Sequence, residues 1–426
     1  MTVLHPIARA WISTGGTGAR NYDEFADDAE ITAIVEANPD SALAIEMPHR
    51  APDSVGKSLG AALPDAVARL ARQKAAGRYA AAEDVVGLYR ISESSDVGGR
   101  GVTESSDVAG RGLVESGRPE VAAYGIFTMV DTDQISAAAG EPGLVIRNED
   151  VFIEKVRERV ALAEATGHLL SPVLLLQTGC GDELHAALAA AIAAAGAPDV
   201  TDVDHVGRTH AIWSVPAETA APLLALAGDG ELVVADGNHR SLAAQIGGLP
   251  RFLAVVTTPA SVAIEPYHRL VTKLPVPLSA FLDSLREAGA SVEPLVGEPG
   301  IPPHSTIFLY GRHGAHSVAL PIAKEADGAI VDGMDHALVE HLVLRDGLGL
   351  EPGDKRITYV GGDYPPAWLI GEVDAGRADL AILIAPVTVD EFVAVNLARQ
   401  KLPRKSTWFT PKARGGLVLA ELAAEG

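Results

Sequence analysis

The stretch 233–244, VVADGNHRSLAA, constrains the fold of this chain more than any other. The apolar run GELVVAD (230–236) reads as a buried strand, and an alanine-rich helical pattern starts directly after Asp236-Gly237. Strand and helix joined this tightly are a unit of a mixed α/β fold. The helix is expected to stop at Gly247-Gly248, ahead of Pro250. The first N–H groups of a helix have no intrahelical partners, and that end carries partial positive charge. An anion there gains ~0.3–1 kcal/mol per charge. Gly237 allows close approach to the backbone, His239 and Arg240 add donors, and an arginine grips phosphate oxygens in pairs. Asp236 can hold a Mg²⁺ or orient a neighbour. The same residues also suit a plain helix cap beside surface polar groups, and the local pattern leaves both readings open.

Elsewhere, short strands and helices alternate. Helices are expected over 63–77, 148–170 and 182–198. Strands are expected over 41–48, 85–92, 122–130, 171–178 and 210–215, with two more around 251–258 and 261–271. An imperfect repeat, ESSDVGGRG (93–101) then ESSDVAGRG (104–112), is too short for a solenoid and reads as a solvated hairpin inserted near 93–118. Past about residue 275 the pattern becomes helix, hairpin and then alternating helices and strands. That alternation predicts a partly parallel sheet with crossover helices. The expected organisation is therefore a core over 1–275 and a C-terminal α/β domain over 276–426.

A net charge of −22 argues against nucleic acid or an anionic membrane as a partner, because both are bound through basic surfaces. It leaves room for a small phosphorylated ligand held by a local cation cluster. The single cysteine, Cys180, excludes an internal disulfide and fits a reducing compartment. No apolar run reaches the ~18 residues of a membrane span, and the N-terminal stretch lacks signal-peptide grammar. The expectation is a cytoplasmic protein.

One such cation cluster is LARQKLPRKSTWFTPKAR (397–414), with Arg399, Lys401, Arg404, Lys405, Lys412 and Arg414 and no acidic residue. It reads either as a phosphate contact or as a face that docks on acidic parts of the chain. Gly56-Lys57-Ser58 imitates the end of a phosphate-binding loop, but Ala51 stands where that loop needs glycine. His336 and His341 are five residues apart, a spacing that does not align two zinc ligands on one helix face.

Three ordered stretches resemble the bacterial and archaeal family called domain of unknown function 1015: RNEDVFIEKVRERVALAEATGHLLSPV, VVADGNHRSLAA and LPRKSTWFTPKARGGL. The resemblance runs from ARNYDEF near the N-terminus to GGLVLAEL at the end. The Asp-Gly-x-His-Arg core is similar to that of the ParB/sulfiredoxin-like superfamily, which includes free-serine kinases. This implies an α/β (α+β) fold with a ParB/sulfiredoxin-like mixed-sheet core. It also implies a nucleotide-dependent small-molecule kinase using ATP or ADP with Mg²⁺, with L-serine or a similar hydroxyl metabolite as acceptor. Carried over, the catalytic residues are Glu149, the base, Asp236, which positions metal or acceptor, and His239. Gly237, Asn238, His239, Arg240 and Ser241 hold the nucleotide, and Lys405, Ser406 and Thr407 contact phosphate or substrate. The chain departs from the family pattern at Asn148 and Asn238, where histidine is typical, and at Ser241, where an aromatic is. These departures keep open a non-catalytic nucleotide or metabolite sensor, and a phosphate-ester hydrolase. A homo-oligomer is compatible with all three readings.

Overall fold

The computed structural model describes residues 3–16, 21, 28–54, 56–93, 122–136, 141–147, 151, 153–321 and 329–422. The chain forms two compact units. The first comprises Met1–Arg100, Arg118–Val262 and Pro411–Gly426; the second contains Ala263–Thr410. The division falls thirteen residues before the expected boundary at 275, and the last segment returns to the first unit. Pairing explains both differences. The strand at 268–271 pairs only within the second unit, and the strand at 418–421 pairs with the N-terminal strand.

In the first unit the strands are β1 (Leu4–His5), β2 (Ile7–Ser13), β3 (Tyr79–Glu93), β4 (Ala123–Asp131), β5 (Ile135–Ser136), β6 (Val145–Ile146), β7 (His168–Leu169), β8 (Val173–Gln177), β9 (Val200–Val203), β10 (Arg208–Pro216), β11 (Leu232–Asp236) and β12 (Arg251–Thr257). The helices are α1 (Asp28–Ala37), α2 (Ala42–Glu46), α3 (Leu59–Ala75), α4 (Ile153–Thr166), α5 (Gly181–Ala194), α6 (Ala217–Ala227) and α7 (Asn238–Ile246). One mixed sheet runs β5-β6-β11-β8-β12-β4-β3-β2, continued by the strand Val418–Glu421 and β7. Its parallel pairs are β5–β6, β6–β11 and β8–β12. Leu184, Leu188 and Ile192 of α5 and Ala220 and Leu224 of α6 share a core with Val86, Leu88, Val173 and Leu175. Residues 41–48, expected as a strand, instead form α2. The Ser41 hydroxyl accepts the N–H of Ala44 at 3.2 Å and starts a helical turn. The repeat after Glu93 lies outside the described residues, as does Glu149.

The second unit contains β13 (Ala263–Glu265), β14 (His268–Val271), α8 (Leu278–Glu287), β15 (Ser291–Leu295), β16 (Thr306–Gly311), β17 (Gly314–Ala319), α9 (Asp335–Leu338), β18 (Ile357–Val360), α10 (Pro366–Asp374), β19 (Leu380–Ile384), α11 (Val389–Leu397) and β20 (Trp408–Thr410). A π-helical run, Val339–Gly347, continues α9. The sheet order is β15-β17-β16-β19-β14-β18, and every pairing in it is antiparallel. The expected partly parallel sheet is therefore corrected. β19 explains the misleading pattern, because it is buried on both faces. Leu380, Ile382 and Ile384 pack with α8 and the π-helical run, while Ala381 and Leu383 pack with α10. A two-sided strand shows no alternation, and such runs are commonest in parallel sheets.

Candidate phosphate-binding junction and its surroundings

Strand β11 lies between β6 and β8, so Leu232, Val233, Val234 and Ala235 are all buried. The register against β8 slips between Val234 and Asp236. Such a bulge re-aims the following side chain, here the Asp236 carboxylate at the strand end. Gly237 then adopts φ 97°, ψ 28°, a left-handed conformation that strongly favours glycine, and α7 begins without a side-chain cap. A Cβ at Gly237 would stand 2.9 Å from Nε of Arg240, so the glycine also makes room for the guanidinium. Arg240 Nη2–H donates to Asp236 Oδ2 at 2.6 Å, one helical turn away. The Asn238 side chain is buried, His239 is half-buried, and the Ser241 hydroxyl is fully buried and donates to the Asn238 carbonyl at 3.0 Å. Ser241 thus faces the packed side of α7.

The C-terminal segment supplies a second cation to this junction. Lys412 Nζ lies 3.7 Å from Asp236 Oδ1, and its side chain is only 9% exposed. The backbone beside it is pinned by buried Asn21, whose Nδ2–H donates to the Ala413 carbonyl at 3.0 Å. Asn21 Oδ1 accepts the N–H of Gly415 at 2.9 Å. Two residues on, Arg414 Nη2–H donates to Asp204 Oδ2 at 3.1 Å, and its N–H donates to the Tyr89 hydroxyl at 3.3 Å. His210 bridges the same two side chains. Its Nε2 is 3.1 Å from Asp204 Oδ2, and its Nδ1 is 2.5 Å from the Tyr89 oxygen. Burial pushes His210 toward the neutral form despite Asp204. Burial alone would raise Asp204, but the His210 hydrogen bond, the Arg414 charge and the Arg208 N–H hold it well below the usual carboxylate range.

On the other face of α7, a cavity of about 60 Å³ lies against α4. Its polar lining includes Glu46, Arg159, Ser171 and Arg240. Glu46 and Arg159 are both buried and 3.8 Å apart, and Ser171 Oγ is buried with no hydrogen-bond partner among the described residues. Arg159 and Ser171 come from the stretch 147–173, so the cavity gathers residues of two motifs.

The division between the two units falls within the cation-rich stretch 397–414, between Thr410 and Pro411. Lys405, Ser406 and Thr407 belong to the second unit. There Ser406 is buried and its hydroxyl donates to the Pro403 carbonyl at 2.7 Å, while Lys405 Nζ lies 5.5 Å from the centre of the Tyr267 ring. Lys412 and Arg414 were visible in sequence only as members of the cation run. Lys57, in the false phosphate loop, is tied to Asp65 at 2.5 Å, and Ser58 caps α3.

No curated protein matches the chain. Among solved structures it is similar to a free serine kinase in complex with AMP, at 13% identity over 67% of this chain and 87% of that one, with a TM-score of 0.36. It is also similar to a conserved hypothetical protein from Pyrococcus furiosus, at 13% identity over 68% and 95%, with a TM-score of 0.35. A third is SbnI with C-terminal truncation from Staphylococcus aureus, at 13% identity over 68% and 85%, with a TM-score of 0.38. The model of the protein family of unknown function DUF1015 matches residues 114–337, more than half of the chain, and the chain belongs to that family.

Proposed function

We propose that the β11–α7 junction binds the phosphates of ATP or ADP and that the chain is a nucleotide-dependent kinase of a small hydroxyl metabolite. L-serine is the acceptor that the sequence resemblance implies. One observation carries the reading: two cations, Arg240 and Lys412, converge on a single carboxylate at the N-terminus of a helix that has no side-chain cap among the described residues. Cations gathered at a helix N-terminus, whose dipole also favours negative charge, suit a phosphate group.

Phosphoryl transfer asks mainly for positioning and charge neutralisation. Arg240 and Lys412 orient and neutralise the transferring phosphoryl group. Asp236 offers a hard oxygen donor, and Mg²⁺ is commonly held by one or two carboxylates together with phosphate oxygens. Asp236 therefore fits as the residue that would hold Mg²⁺, which when bound would draw off charge from the phosphates. The cavity beside Arg240 is lined mainly by apolar groups, and its charged lining offers Arg159 to an acceptor's carboxylate and Glu46 to its ammonium. As the acceptor oxygen bonds to phosphorus, the bridging P–O bond to the nucleotide breaks. The hydroxyl proton passes to Glu149, the base implied by the resemblance.

Phosphorus NMR of the protein with Mg²⁺, ATP or ADP, and L-serine tests this. A new phosphomonoester signal, absent in Glu149→Gln, is the expected result. Nucleotide-dependent protection against thermal unfolding without any product would instead favour a sensor. The absence of both product and protection would refute the reading.

A further inference from the structure

The strap 411–416, which brings Lys412 to the β11–α7 junction, is held by a buried polar centre that the proposed function does not use. Lys412 meets Asp236 at 3.7 Å, longer than a hydrogen bond. Such a contact with a partly exposed carboxylate fixes a long, flexible side chain only weakly. The place of the ammonium is therefore set by where the backbone of the strap lies.

That backbone crosses one face of the first unit's sheet. Pro411 and Ala413 close a small cavity whose other walls include Tyr89 of β3, Gly125 of β4, Val255 of β12 and Leu174 of β8. Leu174 is the register partner of Asp236, so the strap starts beside the junction. It then meets the turn between β9 and β10, where Arg414 is held by both ends of one hydrogen-bonded ring. The Asp204 carboxylate can only accept, so His210 Nε2 carries the proton that it receives, and His210 Nδ1 accepts from the Tyr89 hydroxyl. The Tyr89 oxygen in turn accepts the Arg414 N–H at 3.3 Å, and Asp204 Oδ2 accepts the Arg414 guanidinium at 3.1 Å. Asp204 and Arg414 are 2% and 6% exposed at the side chain. Asp204 Oδ1 accepts the N–H groups of Val206 and Arg208 at 3.0 and 2.8 Å, which ties the carboxylate to its own turn. At Gly415 a Cβ would collide with Ser171 Oγ, so the strap has no slack on that side.

We infer that Asp204 is a positioning residue for the Lys412 ammonium: by closing the ring on Arg414 it seats the strap, and the seated strap sets Lys412 beside Asp236. The consequence for nucleotide binding rests on the function proposed above, whereas the placement of Lys412 does not.

Two measurements keep these apart. Acetic anhydride labelling, read peptide by peptide by mass spectrometry, reports where Lys412 stands. Its side chain is 9% exposed against 39% for Lys57, the reference in the same sample. Asp204→Asn puts an N–H₂ where every neighbour is a donor, whichever way the amide turns. Lys412 labelling should rise about fivefold relative to Lys57. Should that variant fold poorly, Arg414→Gln leaves Asp204 and His210 paired and should raise labelling about threefold. Wild-type labelling of Lys412 in both variants would overturn the inference. MgATP affinity then reports the consequence. Lys412→Ala and Asp204→Asn should each weaken it about tenfold. Asp204→Asn should cost nothing further in the Lys412→Ala background, whereas a general loosening of the fold would add to the loss. Full affinity in Asp204→Asn beside a loss in Lys412→Ala would overturn the positioning role. Full affinity in both, with Lys412 labelling raised, would refute the phosphate site and leave the placement standing.

Discussion

Two arginine–carboxylate pairs, one in each unit, make different use of the same chemistry. Arg240 and Asp236 are 2.6 Å apart, the carboxylate keeps 18% of its side-chain exposure, and Lys412 approaches its other oxygen. Arg269 and Glu340 are 3.0 Å apart at 0% and 6% exposure, with every donor of the arginine occupied. A pair partly reached by solvent and shared with a second cation can exchange its partner for a ligand anion. A sealed pair has no such freedom and can only hold the chain in place. Partial access, rather than the strength of the ion pair, makes the first a candidate for ligand binding in its unit and the second a structural tie within its own.

Acid should break the sealed centre first, and by the most. Burial, reinforced by the charge of Arg269, pushes the neighbouring His268 down to about 3 and His336 well below its ordinary value. In the unfolded chain both imidazoles take up a proton near pH 6.5, whereas in the fold they stay neutral. The unfolded state thus binds more protons between pH 6.5 and about 3, and stability falls as the pH drops through that window. Each imidazole contributes a slope of about 1.4 kcal/mol per pH unit. His268→Asn keeps an acceptor for the Ile384 N–H that Nδ1 now accepts at 3.1 Å. Denaturant melts at several pH values should show a shallower slope by about one such increment. An unchanged slope would mean that His268 is protonated in the fold.

Next comes the pair itself. Glu340→Leu leaves the Arg269 charge buried without its carboxylate, a loss of about 3–5 kcal/mol by comparison with other broken buried pairs. A loss below about 1 kcal/mol in denaturant unfolding would place the pair among surface ion pairs and erase the contrast with Asp236–Arg240.

That contrast was only half legible in the sequence. The β11–α7 junction could be read directly, because an apolar run, one glycine and a helical pattern are local facts. The segment 42–46, ALAIE, reads as part of a strand in sequence, since five apolar-rich residues fit either structure until the Ser41 cap decides. The antiparallel C-terminal sheet was hidden because strand direction depends on pairing, and β19 shows no alternation to betray its faces. Lys412 and Lys405 belong to one cation run, yet the division between units separates them. Only the fold brings Lys412 to Asp236. Arg269 and Glu340 stand 71 positions apart, and neither lies in a motif.

The smallest effect on stability should come with the sharpest effect on binding. Asp236→Asn retains an oxygen that can accept from Arg240, so the cost should be only about 1 kcal/mol. If the junction binds phosphate with Asp236 organising the cations and Mg²⁺, the variant should lose nucleotide-dependent protection. For the wild-type protein, MgATP at 100 times its dissociation constant would add about 2.7 kcal/mol. Thermal melts with and without MgATP measure both quantities on one sample. A variant that melts near the wild type without ligand and gains nothing with it would confirm a site held open for an anion. A variant still protected in full would show that nucleotide binds elsewhere. Asp236–Arg240 would then be a second scaffold pair, differing from Arg269–Glu340 only in how much water reaches it.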